Sequence, residues 1–264
     1  MNTGLRLFLF CIAALIVSPL TAQAADQTSY GWGYKSRDNH QPPDVGKYGP
    51  IVEKYGGIYL DSSGEKVVYL TFDNGYEQGY TEKILDTLKK KKVPAAFFVT
   101  GHYVESEPEL IKRMAEDGHI IGNHSWSHPD FTKLSKKEMK RELEKVRKKV
   151  EEITGNSYIK YVRPPRGTFS ERTLKLADEL GYIHVFWSLA FVDWNTDSQK
   201  GWEYAYKSVI NQIHPGAVLL LHTVSSDNAE ALGPMIDELR KRGYQFRSLD
   251  DFMWKRVTPL RVFQ

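Results

Sequence analysis

Two histidines, His124 and His128, stand four positions apart in the segment HSWSH, directly after a short apolar run. Side chains four positions apart on a helical turn face the same side, so both imidazoles could reach one cation. A histidine pair at this spacing also arises by chance, on a surface or in a core. Because another apolar run ends in an aspartate, we interpret the pair as part of a metal site.

That aspartate is Asp73, in the segment TFDNG, where Gly75 permits a sharp turn and a close approach of a ligand. A carboxylate at this place could act as general base toward a water polarised by the metal. Asn74 could offer the metal a neutral carbonyl oxygen, which is a weaker donor than a carboxylate. The alternative role for Asp73 is to cap the following helix, for which Thr81 and Glu82 are better placed.

Two further segments could supply positive charge and a proton. Arg163 begins RPPRG and could form an ion pair with Asp73, while backbone N–H groups of this stiff segment could stabilise an oxyanion. His222 ends the run LLLH, and Asp193 could hold it as an imidazolium that protonates a leaving nitrogen. Singly, a surface arginine and a core histidine are the ordinary alternatives. Together the segments meet the requirements of amide hydrolysis without a serine or cysteine nucleophile.

Short apolar runs that alternate with amphipathic segments must position these residues. The runs cover residues 67–72, 95–99, 119–122, 158–162, 184–189 and 217–221. Continuous apolar runs are typical of strands buried on both faces, and their alternation with helices predicts a parallel sheet, open or closed. The polar residues named above fall at or shortly after the ends of five runs, which favours a ring of strands over an open sheet. The predicted fold is therefore an α/β barrel in a single domain.

The first 24 residues predict a secretory signal peptide. Arg6 precedes an apolar run over residues 7–17, and Ala22-Gln23-Ala24 follows with an A-x-A cleavage pattern. The run is shorter than the about 20 apolar residues of a transmembrane helix, and an uncleaved N-terminal anchor is the alternative. We expect cleavage after Ala24, secretion to the cell wall, and no stable membrane insertion afterwards.

Cleavage of 24 residues would leave 240 of the 264 and would remove Cys11, the only cysteine. The mature chain would then have no disulfide, no thiolate metal site and no cysteine nucleophile. We divide it into an N-terminal arm packed on the domain, residues 25–64, and a catalytic domain, residues 65–264. Loss of Arg6 changes the formal charge from +3 to +2 (35 Lys and Arg against 33 Asp and Glu), so composition does not suggest a nucleic acid partner.

The ordered segments TFDNG, HSWSH, RPPRG, the pair Asp193-Trp194 and LLLH resemble the motifs of the polysaccharide deacetylase family, carbohydrate esterase family 4. They span residues 71–222, which is most of the mature chain. The resemblance implies a distorted (β/α) barrel and one bound divalent metal ion. It implies these roles: His124 and His128 as metal ligands, Asp73 as base, Arg163 as its partner, His222 as acid, and Asp193 as the group that tunes the acid.

The sequence departs from the usual family pattern at three positions. Asn74 stands where most members have a second aspartate as metal ligand, Arg166 where an aromatic residue is usual, and Ala190 where an acid is frequent. With NHQPPD at 39–44 and FVDW at 191–194, these departures resemble the delta-lactam-biosynthetic de-N-acetylases. That subgroup implies action on N-acetylmuramic acid in peptidoglycan, which prepares the muramic delta-lactam of the spore cortex.

The charges near the site agree with such a substrate. Asn74 in place of aspartate removes a negative charge, and Arg166 adds a positive one. Muramic acid carries a lactyl carboxylate that glucosamine lacks, and a charge-assisted, bidentate contact with Arg166 would recognise it. The alternative is an arginine that forms a salt bridge with a loop acid.

Aromatic residues near the motifs could form walls on which sugar rings stack. The candidates are Tyr76, Trp126 and Trp194, together with Trp32 and Tyr34 of the arm. Aromatic side chains are also the usual material of a core, so burial decides between the two roles.

Two other functions stay open at this point. One is a deacetylase that acts on N-acetylglucosamine, in chitin-like oligomers or in peptidoglycan. The other is a wall-binding protein with a degenerate site, suggested by Asn74 and Ala190. Two histidines with an amide oxygen suit Zn²⁺, while Mg²⁺, Mn²⁺ and Co²⁺ are alternatives. We expect a monomer whose partner is the glycan strand of peptidoglycan.

Overall fold

Parallel strands build the centre of the computed structural model, which describes residues 26–257. The strands are β1 (Tyr30–Gly31), β2 (Val67–Asn74), β3 (Ala95–Val99), β4 (Ile120–Asn123), β5 (Tyr161–Val162), β6 (Thr168–Phe169), β7 (Ile183–His184), β8 (Ala217–His222) and β9 (Gln245–Phe246). The main sheet has the order β7-β5-β4-β3-β2-β8, with β9 beside the start of β2, and all of its pairs are parallel. The predicted signal peptide lies outside the described residues.

Helices surround this sheet. They are α1 (Tyr48–Lys54), α2 (Thr81–Lys91), α3 (Gly101–Ser106), α4 (Pro108–Glu116), α5 (Lys136–Thr154), α6 (Glu171–Glu179), α7 (Trp202–Ile210), α8 (Ser226–Lys241) and α9 (Leu249–Val257). The longest, α5, begins at a capping box formed by Ser135 and Glu138 and ends at Gly155 in the left-handed conformation. Within residues 26–257, no helix is both long and apolar enough to cross a bilayer.

Strand β2 explains why its run in the sequence is continuously apolar. All of its residues are buried, because both faces of the strand are covered. Val68, Leu70 and Phe72 belong to the large core between sheet and helices. Val67 and Tyr69, which point the other way, pack with residues such as Phe98 and Val218 in a second core inside the barrel.

Irregular backbone closes the ring. The run over residues 184–189 predicts a strand, but only its beginning is one, as β7. Further along, the N–H of Ser188 donates to the carbonyl of Val218 at 3.0 Å, and the N–H of Leu220 donates to the carbonyl of Leu189 at 2.9 Å. This short connection to β8 makes the barrel a distorted one. The predicted α/β fold is confirmed.

The N-terminal arm covers one side of the barrel. Strand β1 pairs antiparallel with β6, and an aromatic cluster that includes Trp32, Phe169 and Phe186 lies beneath it. Helix α1 forms in a segment where the sequence shows no sustained periodicity. Since the helix is short and buries mainly Gly49 and Val52, it leaves little periodic signal to detect.

The arm also contacts the turn before β8, at Gly216. This residue has φ +75°, and the N–H of Asp61 donates to its carbonyl at 2.9 Å. A Cβ at this position would overlap the carbonyl oxygen of Asp61. Glycine is therefore required here both by the backbone conformation and by the close approach of the arm.

Replacement of this glycine should destabilise the fold strongly. We expect Gly216→Ala to lower the free energy of unfolding by about 3 kcal/mol or more, since strain and overlap add. Gly155→Ala is the matched control, because Gly155 has φ +71° with nothing within 4 Å of its added Cβ; it should cost about 1 kcal/mol. Urea unfolding of the mature variants measures both, and equal losses would contradict the packing argument.

Candidate active site

A cleft of about 450 Å³ opens at the carboxyl ends of β2, β3, β4 and β8. It is lined by Asp73, Gly75, Tyr76, Thr100, His102, His124, Trp126, Ser127, His128, Trp194, His222 and Val224. Most of the predicted site residues are therefore brought together. The register of the sheet explains why: Asp73 is the β2 partner of His222 on β8, while Asn123 on β4 pairs with Val162 on β5. The residues that follow this last pair, His124 and Arg163, leave the sheet side by side.

A buried ion pair lies at the floor of the cleft. Arg163, which has no exposed surface, donates from Nη1 to Asp73 Oδ1 at 2.8 Å. Its Nη2 donates to Thr71 Oγ1 at 2.8 Å and its Nε to the carbonyl of Val185 at 3.1 Å. Burial of Asp73 disfavours the charged carboxylate, but the charge of Arg163 holds the pKa of Asp73 below its ordinary value. Asp73 is thus kept ionised.

The two predicted metal-binding histidines lie against each other, but not on a helical turn. Residues 124–128 form an irregular loop in which Ser125 (φ 66°) and His128 (φ 57°) have left-handed conformations. The expectation of a helical turn is wrong because side chains hold the loop: Ser125 N–H donates to Asn123 Oδ1, and His128 N–H donates to Ser125 Oγ. The ring centroids of His124 and His128 are nevertheless 4.9 Å apart.

Both histidines are in the protonation state that metal binding needs. His124 Nδ1–H donates to the carbonyl of Arg163 at 2.9 Å, which leaves its Nε2 with a lone pair. Burial lowers the pKa of His124, and burial is also the main cause that lowers the pKa of His128 to about 4. His124 Nε2 lies 3.5 Å from Asp73 Oδ2, so two electron-rich atoms face each other. Such an arrangement fits a nearby cation.

The predicted third ligand, Asn74, is less well placed. It is fully buried but does not line the cleft, and its Nδ2 donates to Thr223 Oγ1 at 2.8 Å. Its Oδ1 is buried and has no hydrogen-bond partner among the described residues, so it is a free acceptor. No group of three or more His, Cys, Asp or Glu residues within 26–257 is arranged to hold a metal ion. The donors that fit a divalent ion are the two histidines, with Asn74 as a weak addition.

Asp193 holds the histidine at the other side of the cleft. Its Oδ1 accepts from His222 Nδ1 at 2.7 Å, and its Oδ2 accepts from the backbone N–H of His222 at 2.8 Å. Burial opposes protonation of the ring, but the charge and hydrogen bond of Asp193, with the charge of Asp73, raise the pKa of His222. His222 therefore holds a proton more readily than a free imidazole does, and since Nδ1 is engaged by Asp193, its Nε2 is left for the cleft.

The predicted substrate-binding residues take different positions. Tyr76 (42% exposed) and Trp194 (51% exposed) stand at the cleft with free surface, and the Trp194 ring lies 5.5 Å from the His222 ring. Trp126 lines the cleft from its own loop. Arg166 is exposed, has φ 59° and lies outside the cleft lining, although its charge contributes to the low pKa of His128. It is thus a residue of the rim.

The suggestion that Trp32 forms a sugar-stacking wall is wrong, whereas the same suggestion for Tyr34, which is half-buried, stays a prediction. Trp32 is only 8% exposed and stacks on Phe186 at 4.6 Å between ring centroids. The hydroxyl of Tyr34 bonds the backbone of Ala190. These aromatic rings support the structure from within the arm.

Several residues of the site were missed from the sequence. Asn228 donates from Nδ2 to Asp193 Oδ2 at 2.6 Å, and Thr71 accepts from Arg163. The sequence signal that could have identified Asn228 is its polar side chain in the first turn of α8, which begins directly after the N-cap residue Ser225. Gly101 was also missed; a Cβ there would overlap Trp126, so the glycine lets Trp126 pack against the start of α3. Each of these residues acts on a predicted residue and has no pattern of its own.

The cleft has the groups needed for hydrolysis of a neutral bond such as an amide. It presents a carboxylate whose pKa is lowered and an imidazole whose pKa is raised, on adjacent strands, and each is held by an ionisable partner. Groups whose pKa values are driven apart in this way serve as base and acid at one pH.

Comparisons with known proteins agree with this geometry. The family model described as polysaccharide deacetylase matches residues 61–185. The peptidoglycan-N-acetylmuramic acid deacetylase PdaA of Bacillus subtilis is 53% identical over 253 residues, with 95% of this chain and 96% of that protein covered. A peptidoglycan-N-acetylglucosamine deacetylase of Bacillus cereus is 34% identical, with 78% and 76% covered. The solved structure of Bacillus subtilis PdaA, titled a family 4 carbohydrate esterase, superposes with a TM-score of 0.86 at 54% identity and covers 88% of this chain and 99% of that one. The chain belongs to the polysaccharide deacetylase family, carbohydrate esterase family 4.

Proposed function

We propose that this protein removes the N-acetyl group from N-acetylmuramic acid in peptidoglycan glycan strands. The observation that carries the chemistry is the pair Asp73 and His222, which are register partners with opposite charges at one cleft. The choice of sugar is supported by the relative that is 53% identical and named for this activity, and by the cation of Arg166 at the rim. The products would be acetate and the free amine of the sugar.

The base of the reaction is Asp73. Its Oδ2 is not engaged by Arg163, which binds Oδ1, so Oδ2 is the atom to take a proton from the attacking water. Arg163 stabilises the carboxylate and fixes its orientation through a guanidinium that is itself held by Thr71 and Val185. Water adds to the acetyl carbonyl carbon, and the carbonyl oxygen becomes an oxyanion.

A divalent metal ion would be held by His124 and His128, with Asn74 Oδ1 as the proposed third protein ligand. When bound, such an ion would polarise the acetyl carbonyl and acidify the attacking water. Zn²⁺ suits two imidazoles best, and Mg²⁺, Mn²⁺ or Co²⁺ would bind more weakly to this donor set. The carbonyl of Arg163 fixes the tautomer of His124 that such binding needs.

The acid of the reaction is His222. Its Nε2 gives a proton to the amide nitrogen as the bond between that nitrogen and the carbonyl carbon breaks. The Asp193 carboxylate keeps the ring charged before this step and in a single orientation throughout. The second proton of the water leaves with the acetyl group as acetic acid, and the proton that Asp73 has taken equals the one that His222 has given up, so the reaction consumes water and yields the free amine and acetic acid.

Arg166 is the proposed reader of the sugar. Its guanidinium is exposed at the rim near His128, where it is free to reach a bound strand. The lactyl carboxylate of muramic acid is an anion for which a charge-assisted contact would be strong. The resulting amine is the group from which a muramic delta-lactam would form, in spore cortex, and the ring closure itself is a separate step.

The setting of the reaction follows from its substrate. We infer that the mature protein acts outside the cytoplasmic membrane, after removal of residues 1–24, as a monomer on the glycan strand. The second candidate function is deacetylation of N-acetylglucosamine, which the 34% identical relative from Bacillus cereus favours by its name. A wall-binding role without catalysis is a third outcome that an assay can distinguish.

The first prediction about function concerns the substrate. Mature protein incubated with peptide-free and peptide-bearing glycan strands and a divalent metal should remove acetyl mass from muramic residues only, as seen by mass spectrometry. Asp73→Asn should reduce the rate by at least about a hundredfold, because the base is lost, and a chelator should abolish the reaction until metal is returned. Loss of acetyl mass from glucosamine residues alone would favour the second candidate, and no mass change with any metal would favour the wall-binding role.

The second prediction concerns Arg166. Arg166→Ala should lower kcat/KM for strands with muramic residues by roughly tenfold to a hundredfold, the worth of a charge-assisted hydrogen bond. The same variant should change any kcat/KM on N-acetylglucosamine oligomers by less than about threefold. The control is the surface variant Arg247→Ala, which should change kcat/KM on either substrate by less than about threefold. An equal loss on both sugars would contradict the assignment of Arg166 to the lactyl carboxylate.

The third prediction concerns pH. Asp193→Asn removes the charge that raises the pKa of His222, so the acid loses its proton at a lower pH. The alkaline limb of the kcat profile should therefore move to lower pH, and kcat should fall roughly tenfold to a hundredfold. Asp237→Asn, which removes an exposed acid that pairs with Lys91, is the control and should leave the profile unchanged. An unmoved limb in Asp193→Asn would show that His222 is not the acid.

A further inference from the structure

The N-terminal arm reaches the backbone that leads to Asp193. The Tyr34 hydroxyl accepts the N–H of Ala190 at 2.7 Å and lies 3.2 Å from the Ala190 carbonyl, to which it donates. Two residues earlier in the arm, the indole N–H of Trp32 donates to the carbonyl of Trp187 at 2.9 Å. Residues of the arm thus hold the main chain just before the aspartate that orients the acid.

This backbone needs outside support. Residues 190–199 contain no helix or strand, and the methyl group of Ala190 cannot form a hydrogen bond. Asp193 is held from its other side, by donors of His222 and Asn228. Without Tyr34, the Ala190 N–H and carbonyl would lose these bonds in a half-buried place, and the segment would be free to shift.

The arm itself is firmly anchored. The backbone N–H of Trp32 donates to the carbonyl of Gly167 at 2.8 Å, and β1 pairs with β6. The Trp32 ring packs among Tyr59, Phe169 and Phe186. The same short stretch therefore ties together the loop that follows Arg163 and the loop that carries Asp193, and it is rigid enough to position both.

We propose that Tyr34 is a positioning residue for the reaction. Its hydroxyl fixes the main chain at Ala190, so that the Asp193 carboxylate holds the His222 ring where it can protonate the leaving nitrogen. The inference rests on the proposed function only in needing His222 as acid, and it holds for any N-acetyl sugar. Burial raises the pKa of Tyr34, so the hydroxyl keeps its proton across the range of the assay.

The test compares Tyr34→Phe with Tyr59→Phe. Both remove one hydroxyl from a tyrosine of the arm, but the Tyr59 hydroxyl donates to Glu53 and does not reach the loop of Asp193. We expect Tyr34→Phe to lower kcat roughly tenfold to a hundredfold, as small misplacements of catalytic groups do, with KM within about twofold. Tyr59→Phe should match wild type in both constants.

The pH dependence of kcat separates a positioning role from a loss of folded protein, because a smaller folded fraction would lower kcat without moving the alkaline limb. His222 faces Asp193, Asp73 and Arg163, and a looser contact with Asp193 would weaken the interaction that keeps it protonated. The alkaline limb of the kcat profile should therefore move to lower pH in Tyr34→Phe and stay in place in Tyr59→Phe. All rates are compared well below the melting temperature of each variant, measured by circular dichroism.

A double-mutant cycle decides whether Tyr34 acts through Asp193. In the Asp193→Asn background, Tyr34→Phe should cost less than about threefold in kcat, because the contact that it supports is already lost. Full additivity of the two losses, an unmoved alkaline limb, or equal rates of Tyr34→Phe and Tyr59→Phe would each overturn the proposal. The assay uses whichever N-acetyl glycan wild type deacetylates, so a failure of the muramic assignment is seen in wild type and a failure of the Tyr34 proposal only in the variants.

Discussion

A guanidinium without exposed surface, that of Arg163, is the constraint on which the site depends. Removal of a charge from water costs on the order of several kcal/mol, and an opposite charge with good hydrogen bonds must offset this cost. Asp73, Thr71 and the carbonyl of Val185 each accept from a different nitrogen of the guanidinium, and the centre of the Phe98 ring lies 4.2 Å from the guanidinium carbon. Since β5 and β2 are separated by β4 and β3 in the sheet, the ion pair crosses the inside of the barrel and fixes its opposite walls.

The same residue links the proposed base, Asp73, to the proposed metal-binding histidines. The backbone carbonyl of Arg163 accepts from His124 Nδ1, and its side chain binds Asp73, so one residue sets the tautomer of a proposed metal ligand and the ionisation of the base. On the opposite side of the cleft, Asp193 fixes the tautomer and orientation of His222, because its two carboxylate oxygens accept from the ring Nδ1 and from the backbone N–H of His222. The cleft is therefore built from two pairs of ionisable side chains. In one pair the carboxylate of Asp73 faces the cleft and Arg163 lies behind it; in the other the imidazole of His222 faces the cleft and Asp193 lies behind it.

The fold and most of the site could be predicted from the sequence because both depend on where apolar runs end. Buried parallel strands leave continuous runs, and the polar residues after them meet at one edge of the barrel, as Asp73, His124 and His222 do. The family then follows from the order of the motifs, and the comparisons confirm it.

What could not be predicted depends on contacts between distant residues. The loop of His124 and His128 contains left-handed residues that side-chain hydrogen bonds stabilise, and no spacing rule reports them. The barrel closes through irregular backbone near Ser188, although the apolar run over residues 184–189 predicts a strand there. Trp32, a predicted sugar-stacking residue, is buried and supports the arm instead. Asn74 binds Thr223 and does not line the cleft, so the role of Asn74 as a metal ligand stays a prediction.

The most direct measurement for the whole account is a crystal structure of the Asp73→Asn variant with Zn²⁺ and a peptide-free glycan strand. We expect the N-acetyl group of a muramic residue in the cleft, with its nitrogen near His222 Nε2, the lactyl carboxylate of that residue on Arg166, and the ion at His124 and His128. A glucosamine N-acetyl group in that place, or an ion bound away from the two histidines, would contradict it.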